Sequence, residues 1–311
     1  MIEMKKKISI ICFILLCSIF MMDSVHALRP SELKARNICE KVELAIAKTD
    51  GSLESVACYE SYQEAKNAMN QTNNDDLVII ESGVIVDAKY GIIDYDILYP
   101  SGTKGYTSIY ASNTSNTEIT YISTAGHYAD DAVLLDVDYQ NKRVKIKVAG
   151  VTGWIKEYDG NLKLYDIVPI NWTTSPQYYW VSSDGLEHHF PQNVYGNMIE
   201  MSKMSYTIDR KPAMLSEGIY YSYDGNYFYT DLKTMIKDYK NNTFTNSVNR
   251  EEPYYNYYQY LSFRTKTSYS AENLNEYLNL VAKTGKMANT GEDFIKAQEM
   301  YGMNLVLEQA H

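Results

Sequence analysis

The chain opens on an apolar stretch, and the remainder alternates between strand-like and helix-like spacing of hydrophobic residues. Ile8 to Met22 is almost unbroken in apolar side chains, follows three lysines, and leads to Val25-His26-Ala27, which ends on a small residue. This order is typical of an export signal cleaved after Ala27. A membrane span needs roughly 20 apolar residues, and this run is shorter. The alternative to a cleaved signal is an uncleaved N-terminal anchor. We expect residues 1–27 to be a signal peptide and the mature chain to be secreted, with no membrane association.

Residues 28–98 mix one short helix with short strands. The segment Ser61–Met69 has helical spacing with Glu64 in its first turn, and Leu77–Ile80 and Ile92–Leu98 are short apolar runs typical of strands. The expected buried face of the helix consists of Tyr62, Ala65 and Met69. We predict a small α/β module here, without chemistry of its own.

Residues 99–205 are rich in predicted strands. Val144, Ile146 and Val148 alternate with Lys145 and Lys147, which is the period of two expected for a half-buried strand. The apolar run Val133–Tyr139 precedes it across a polar turn, so the two predict a hairpin. The sequence then continues Gly150-Val-Thr-Gly-Trp-Ile155, in which glycines allow tight turns.

Residues 206–311 combine tyrosine clusters with three predicted helices. Tyrosines flank Asp224-Gly225, a strong hairpin signal. Thr230, Ser270 and Thr290 are each suited to cap a helix, and Asp293 forms a weak capping box with Thr290. The residues that share a face at helical spacing are Leu232, Met235, Ile236 and Tyr239 in the first helix, Leu274, Tyr277, Leu278 and Val281 in the second, and Phe294, Ala297, Gln298 and Tyr301 in the third.

Tyrosine is frequent in this chain, at 30 of 311 residues, and many tyrosines lie between Gly218 and Thr267. An aromatic ring that carries a polar group suits the flat C–H faces and the hydroxyls of sugars. The alternative for each tyrosine and tryptophan is a position in the hydrophobic core. Tryptophan in particular is highly buried on average. The candidate glycan contacts are Tyr254, Tyr255, Tyr257, Tyr258, Trp154 and Trp172, and Trp180 lies in the same β-rich part.

The net charge and the cysteine content limit the classes of ligand and cofactor that the sequence favours. The formal net charge of −10 would fall by one more unit on signal removal, which disfavours nucleic acid and anionic wall polymers as ligands. Cys39 and Cys58 remain in the mature chain and form either one disulfide or two buried thiols. There is no Cys-x-x-Cys, and His188 and His189 are adjacent, so we expect no metal and no cofactor.

Two stretches resemble secreted peptidoglycan enzymes. The order of motifs from Tyr220 to Leu261 resembles the start of the catalytic domain of bacterial endo-β-N-acetylglucosaminidases of the autolysin type (glycoside hydrolase family 73). The hairpin that leads into Gly-Val-Thr-Gly-Trp-Ile is similar to the end of a bacterial Src-homology-3-like wall-binding barrel. The resemblance implies an α+β multidomain chain: a wall-binding barrel-like module at 99–205 and the N-terminal part of a lysozyme-like glucosaminidase domain at 206–311.

The family's proton donor has no match in this sequence. Gln298-Glu-Met-Tyr301-Gly-Met-Asn304 resembles the family's lead-in, but the Glu-Ser-Gly-x-Gly motif with the general acid does not follow. A general acid must be buried to stay protonated. Glu308 is several positions too early and has no glycine turn after it. The resemblance therefore implies a truncated hydrolase that binds peptidoglycan or another wall glycan without turnover. The alternatives are a non-functional remnant and an exported adhesin without enzymatic ancestry.

Overall fold

The computed structural model describes residues 38–95, 106–123, 131–190, 204–255, 268–281 and 285–302. These residues form antiparallel sheets and four α-helices, so the coarse α+β class is confirmed. No helix among them is long and apolar enough to cross a bilayer. The predicted signal peptide at 1–27 lies outside the described residues.

The first sheet has the strand order β2-β1-β3-β4 and carries the helix α1 on one face. Ser61 caps α1 by accepting a hydrogen bond from the Glu64 amide, and the predicted face of Tyr62, Ala65 and Met69 is buried, as expected. The strands are β1 (Val42–Ala47), β2 (Leu53–Tyr59), β3 (Leu77–Glu81) and β4 (Val84–Ala88), and α1 is Tyr62–Gln71.

The second sheet has seven strands in the order β13-β5-β8-β9-β10-β6-β7. The predicted hairpin is confirmed as β8 and β9, with Val144, Ile146 and Val148 buried. A two-stranded ribbon of β11 and β12 joins β10 to β13. The strands are β5 (Gly91–Tyr95), β6 (Tyr106–Tyr110), β7 (Glu118–Ser123), β8 (Ala132–Asp138), β9 (Arg143–Val148), β10 (Val151–Lys156), β11 (Tyr158–Asp159), β12 (Leu162–Lys163) and β13 (Tyr165–Pro169).

This seven-stranded sheet differs from the predicted barrel in two ways. Within the described residues no pairing joins its edge strands β13 and β7, so the sheet is not a closed barrel. It also includes β5, which belongs to the predicted first module, because Ile92 pairs with Val133 and Ile93 with Ile167. The expected boundary near residue 98 therefore falls inside one continuous sheet and one continuous core.

Gly150 and Gly153 have different roles in this sheet. Gly150 has φ +78° in the turn between β9 and β10, as the prediction required. Gly153 is a strand residue: a Cβ there would lie 2.4 Å from Ile109 Cγ2 and 2.9 Å from the Tyr110 carbonyl. Glycine is therefore needed at 153 so that β10 can approach β6.

The third sheet has four strands in the order β16-β15-β14-β17. The Asp224-Gly225 turn follows it, but the predicted hairpin is reduced to one bridge in which Tyr221 and Tyr229 exchange backbone hydrogen bonds. The Asp224 carboxylate accepts the amides of Asn226 and Tyr227, and the Ser222 hydroxyl accepts the amide of Gly225, so side chains close the turn. The strands are β14 (Tyr178–Val181), β15 (Leu186–Phe190), β16 (Met204–Asp209) and β17 (Gly218–Tyr220).

Helix α2 (Leu232–Lys240) packs on β8 of the seven-stranded sheet with the predicted face buried. Its cap differs from the expectation. Asp231, not Thr230, accepts the Thr234 amide at 2.7 Å, so the helix begins one residue later than predicted. Ion pairs from its lysines to Asp75 and Asp76 tie the helix to the first sheet.

The chain divides into two compact units at Pro253 and Tyr254. The second unit contains α3 (Ala271–Val281) and α4 (Gly291–Tyr301), which pack on each other. Ser270 caps α3 as predicted, whereas the Thr290 hydroxyl donates to the Met287 carbonyl and makes no capping box with Asp293. The predicted faces are wrong in part, because Tyr277 and Tyr301 are exposed.

Candidate functional site

The four-stranded sheet has one buried and one solvent-facing side, and its solvent-facing side carries aromatic rings. Tyr179 and Val181 of β14 are buried, while Trp180 between them is 44 % exposed. The same alternation in β17 buries Tyr220 and exposes Ile219. This face is the surface we consider as a candidate site, and we call it the outer face.

Strand register arranges the outer face in two rows. Directly paired residues on neighbouring strands point to the same side of a sheet, with Cβ atoms about 5 Å apart. The first row is Thr207, Glu187, Trp180 and Ile219, and the second row contains Ser205, His189 and Tyr178. The rows therefore place aromatic and apolar side chains toward β17 and polar side chains toward β16.

Ring contacts order the centre of the outer face. The rings of Tyr178 and His189 stack with centroids 4.7 Å apart and an angle of 6° between their planes. The indole of Trp180 is inclined by 61° to the His189 ring, with centroids 6.0 Å apart. His189 Nε2 lies 3.0 Å from Glu187 Oε2. Trp180 is thus held by its neighbours while remaining the most exposed ring of the group.

The phenol of Tyr178 is electrically neutral in this setting. Partial burial and the neighbouring Glu187 carboxylate raise its pKa above the ordinary value of 10.0, with a smaller effect from Tyr221. A neutral phenol both donates and accepts a hydrogen bond. The outer face therefore offers apolar ring area together with hydroxyl, imidazole and carboxylate groups.

A series of hydrogen bonds on the buried side of the four-stranded sheet fixes β14 and β15. The His188 ring stacks on Tyr179 at 4.2 Å, and its Nε2 lies 2.8 Å from the side-chain oxygen of Gln177. Because that oxygen only accepts, Nε2 carries the proton. Gln177 donates in turn to the backbone of Asp131, whose carboxylate also receives the Tyr223 hydroxyl. Such satisfied buried networks rigidify the elements that they join.

The predicted tryptophan contacts have different environments. Trp172 is 3 % exposed and donates its indole N–H to the Lys48 carbonyl at 2.8 Å, so this ring belongs to the core and offers no face to a ligand. Trp154 is partly buried on β10, opposite Lys145 and Tyr110. The structure does not bring Trp154 and Trp172 together on one surface.

The predicted tyrosine contacts are only partly described. Tyr254 is buried and Tyr255 is 56 % exposed. Tyr257 and Tyr258 lie outside the described residues, as does Glu308. A tyrosine surface at residues 254–260 therefore stays a prediction.

The tyrosine-rich segment from Gly218 to Tyr239 is mainly core, which corrects the expectation that these rings line a surface. Each buried hydroxyl has a partner there: Tyr220 donates to the Ser216 carbonyl, Tyr229 to Asp238 at 3.2 Å, and the Tyr239 hydroxyl accepts the Tyr223 amide. Hydroxyls satisfied in this way allow tyrosine to serve as an ordinary large core residue.

A second aromatic group lies on the edge of the seven-stranded sheet. Tyr106 and Tyr121 pair at 5.2 Å with planes 54° apart, and Tyr121 is 60 % exposed. Nearby on the same sheet, Arg143 and Lys156 each lie within 5 Å of the Tyr110 ring centre, at 4.8 and 4.9 Å. Cations therefore cover the ring of Tyr110, and this surface is less suited to a neutral ligand than the outer face.

Two buried carboxylates, those of Asp87 and Asp238, are each held by several donors. Asp87 receives Tyr62 at 2.7 Å and Lys66 at 2.5 Å, and Asp238 receives Tyr229 and both nitrogens of Asn246. Asp87 and Asp238 therefore serve as structural hydrogen-bond acceptors.

Cys39 and Cys58 form a disulfide, which decides between the two alternatives left by the sequence. Within the described part of the chain, no group of three or more histidine, cysteine, aspartate or glutamate side chains is placed to hold a metal ion. Comparison with known proteins adds no relative: neither a protein-family model nor a curated protein matches the chain.

Sequence reasoning considered Trp180 but did not select it, and it did not select Tyr178, Glu187, His189 or Ile219. The signal that was available is the alternation along Gln177-Tyr-Tyr-Trp-Val181, where every second side chain shares a face. The register of β14 against β17 was not available, because β17 lies 37 or more residues further along the chain.

Proposed function

We propose that this protein is exported and binds cell-wall glycan through the outer face of the four-stranded sheet, without hydrolysing it. The observation that carries the proposal is the exposed indole of Trp180, flanked by Tyr178 and His189 on one side of a rigid sheet. Aromatic side chains that combine an apolar ring with a solvent-exposed polar group are favoured where a ligand has both apolar faces and hydroxyls.

Charge supports a neutral ligand. The chain has a formal net charge of −10, and Glu187 is the first-row neighbour of Trp180. A carboxylate beside the aromatic ring repels phosphate and carboxylate groups. Uncharged sugars of peptidoglycan satisfy these conditions, whereas nucleic acid and anionic wall polymers do not.

Export is supported by two features. The apolar N-terminal run followed by Val25-His26-Ala27 has the order of a signal peptide. The disulfide between Cys39 and Cys58 suits an oxidising compartment. The choice of a wall glycan as the ligand is supported by the resemblance of Tyr220 to Leu261 to the start of autolysin-type glucosaminidase domains.

Two observations support the proposal that the bound glycan is not hydrolysed. The Glu-Ser-Gly-x-Gly motif does not occur in the 311 residues. The buried carboxylates of Asp87 and Asp238 accept hydrogen bonds from several donors and serve as structural acceptors. Glycoside hydrolysis needs a carboxylic acid that stays protonated beside the leaving oxygen.

A pull-down with insoluble, purified peptidoglycan tests the proposal. We expect the purified exported chain to bind, and Trp180→Ala to weaken binding about tenfold, as for a central aromatic anchor. Tyr158→Ala removes an exposed ring from the β11–β12 ribbon and is the matched control, expected to bind normally. The same incubation should release no reducing ends above the blank.

The proposal fails if the wild-type chain does not bind, or if Trp180→Ala binds as well as Tyr158→Ala. Trp154→Ala separates the outer face from the seven-stranded sheet, since Trp154 lies on β10. A loss that is confined to Trp154→Ala would move the site to that sheet. Release of reducing ends would overturn binding without turnover.

A further inference from the structure

We infer that a narrow cleft beside the seven-stranded sheet binds a free α-amino acid with a short side chain. The cleft lies where β4 of the first sheet meets the β8–β9 turn, the end of β10 and the start of β13. None of its lining residues belongs to the outer face, so the inference does not depend on glycan binding there.

The cleft is small and partly apolar. It contains about 360 Å³ of empty space including its open mouth, and about 30 Å³ of this space can accept the centre of a water-sized atom. Ile85, Val144 and Ile167 line it and are 4 % exposed or less. A concave site that combines apolar side chains with a few polar groups is typical of small-molecule binding, and the narrow interior restricts the ligand to a small molecule.

Tyr165, the first residue of β13, contributes an unused hydroxyl to the cleft. The residue is 4 % exposed, and its hydroxyl has no hydrogen-bond partner among the residues that the structure describes. Burial, with smaller effects from Glu157 and Tyr158, raises the pKa of this phenol well above 10.0, so the hydroxyl keeps its proton. Buried polar groups are nearly always hydrogen-bonded, so a ligand group in the cleft would supply the missing partner.

Glu157 and Lys142 bring opposite charges to the same cleft. The Glu157 amide donates to the Lys142 carbonyl at 2.9 Å, so the two residues are backbone neighbours. The Lys142 ammonium lies 4.2 Å from the centre of the Tyr139 ring, and the Glu157 carboxylate is close enough to the Tyr139 and Tyr165 hydroxyls to oppose their ionisation. In the described part of the chain, the side chains of Glu157 and Lys142 form no ion pair with each other. Opposite charges held apart in this way suit a ligand that carries both signs.

The other charged side chains at the cleft are already bound within the protein. Lys163 pairs with Asp166 at 2.7 Å, Asp138 accepts two asparagine amides, and Arg143 donates to two backbone carbonyls. Glu157 and Lys142 are therefore the charges that a ligand can engage.

A free α-amino acid carries the groups that these side chains bind. Its ammonium group donates to the Glu157 carboxylate and to the Tyr165 hydroxyl oxygen, and its carboxylate accepts from the Lys142 ammonium. A methyl side chain, as in alanine, lies against the apolar lining. A simple amine or a simple acid would leave one of the two charges without a partner.

Calorimetric titration of the purified exported chain with L-alanine, D-alanine, alanine amide and N-acetylalanine tests the inference. We expect one enantiomer of alanine to bind, and both of its blocked forms to bind at least about tenfold more weakly, because each lacks one charge-assisted hydrogen bond. Glu157→Gln and Lys142→Met should each weaken alanine binding about tenfold. Tyr165→Phe should weaken it several-fold and yet unfold at or above the wild-type urea concentration, since the hydroxyl has no partner in the described part of the protein.

Asp159→Asn is the matched control, because it removes an exposed carboxylate two positions from Glu157 that does not line the cleft. This variant should bind alanine as the wild type does. Absence of binding of both enantiomers at millimolar concentration, equal binding of alanine and its blocked forms, or unchanged binding by Glu157→Gln overturns the inference. Peptidoglycan binding by the outer face, which Trp180→Ala tests, stands or fails separately.

Discussion

His188 and His189 are adjacent, but the alternation of β15 places them on opposite sides of the sheet. His189 faces outward beside Tyr178, whereas His188 is 5 % exposed and stacks on Tyr179. Burial, with a smaller effect from His189, lowers the pKa of His188 to about 3 from 6.5. The folded protein therefore keeps His188 neutral at pH values where the unfolded chain is protonated.

This difference in pKa predicts an acid-sensitive fold. Between about pH 6.5 and 3 the unfolded chain binds one more proton at His188, so the free energy of unfolding decreases as the pH falls, by up to about 1.4 kcal/mol per pH unit. Urea unfolding at about pH 7 and 5 should show that His188→Gln loses stability at the higher pH and has a flatter pH dependence. His189→Gln is the control and should keep most of the wild-type slope, because burial is the main cause of the low pKa of His188. Equal slopes for His188→Gln and wild type would contradict the assigned environment.

At the scale of the element, the start of α2 depends on one carboxylate. The Asp231 side chain accepts the Thr234 amide, and Thr230 makes no such contact. We expect Asp231→Ala to lower the free energy of unfolding by about 1 kcal/mol, as for the loss of an N-cap. Thr230→Ala changes a neighbouring residue of similar exposure and should have little effect. Thermal unfolding of the two variants measures this, and the reverse order would restore Thr230 as the cap.

The elements themselves could be predicted well where local chemistry decides them. Ser61 and the spacing of Tyr62, Ala65 and Met69 define α1, and the alternation at Val144–Val148 defines β9. Faces were predicted less well in α3 and α4, since Tyr277 and Tyr301 are at apolar positions and yet are exposed. Helical spacing shows which residues share a face but not whether a neighbour covers it.

The candidate site could not be assembled from the sequence for a related reason. Trp180 has strand neighbours from two segments: Glu187 is close in the chain, but Ile219 pairs with Trp180 across 39 positions. The burial of the tyrosines at 220, 223 and 229 depends equally on partners such as Asp131 and Asp238, which tyrosine content alone does not indicate.

At the scale of the whole molecule, the three parts predicted for the mature chain are joined more closely than the sequence indicates. Residues up to Pro253 form one compact unit, with a core that runs from Ala45 on β1 to Tyr239 on α2. Lys233 and Lys237 of α2 pair with Asp75, and Lys240 donates to the Lys89 carbonyl. Long-range strand pairing and these contacts produce the unit, and neither leaves a local signature.

The disulfide should contribute to the stability of this unit. Cys39 and Cys58 are 19 positions apart and connect the approach to β1 with the end of β2. Closing a loop of this length restricts the unfolded chain, so we expect the double variant Cys39→Ala/Cys58→Ala to lose about 3 kcal/mol in the free energy of unfolding. Wild-type protein with a reductant should match the variant in urea titrations. A loss below about 1 kcal/mol would show that the sheet is held without the bond.

The four-stranded sheet takes β14 and β15 from one side of the predicted boundary at residues 205 and 206, and β17 from the other, with β16 across the boundary itself. A protein cut at that point would lose Ile219, and β14, the strand that bears Trp180, would have an unpaired edge. The outer face is therefore not a module that can be transferred by itself. It cannot be exchanged between proteins unless the tyrosine-rich segment that completes it is carried along.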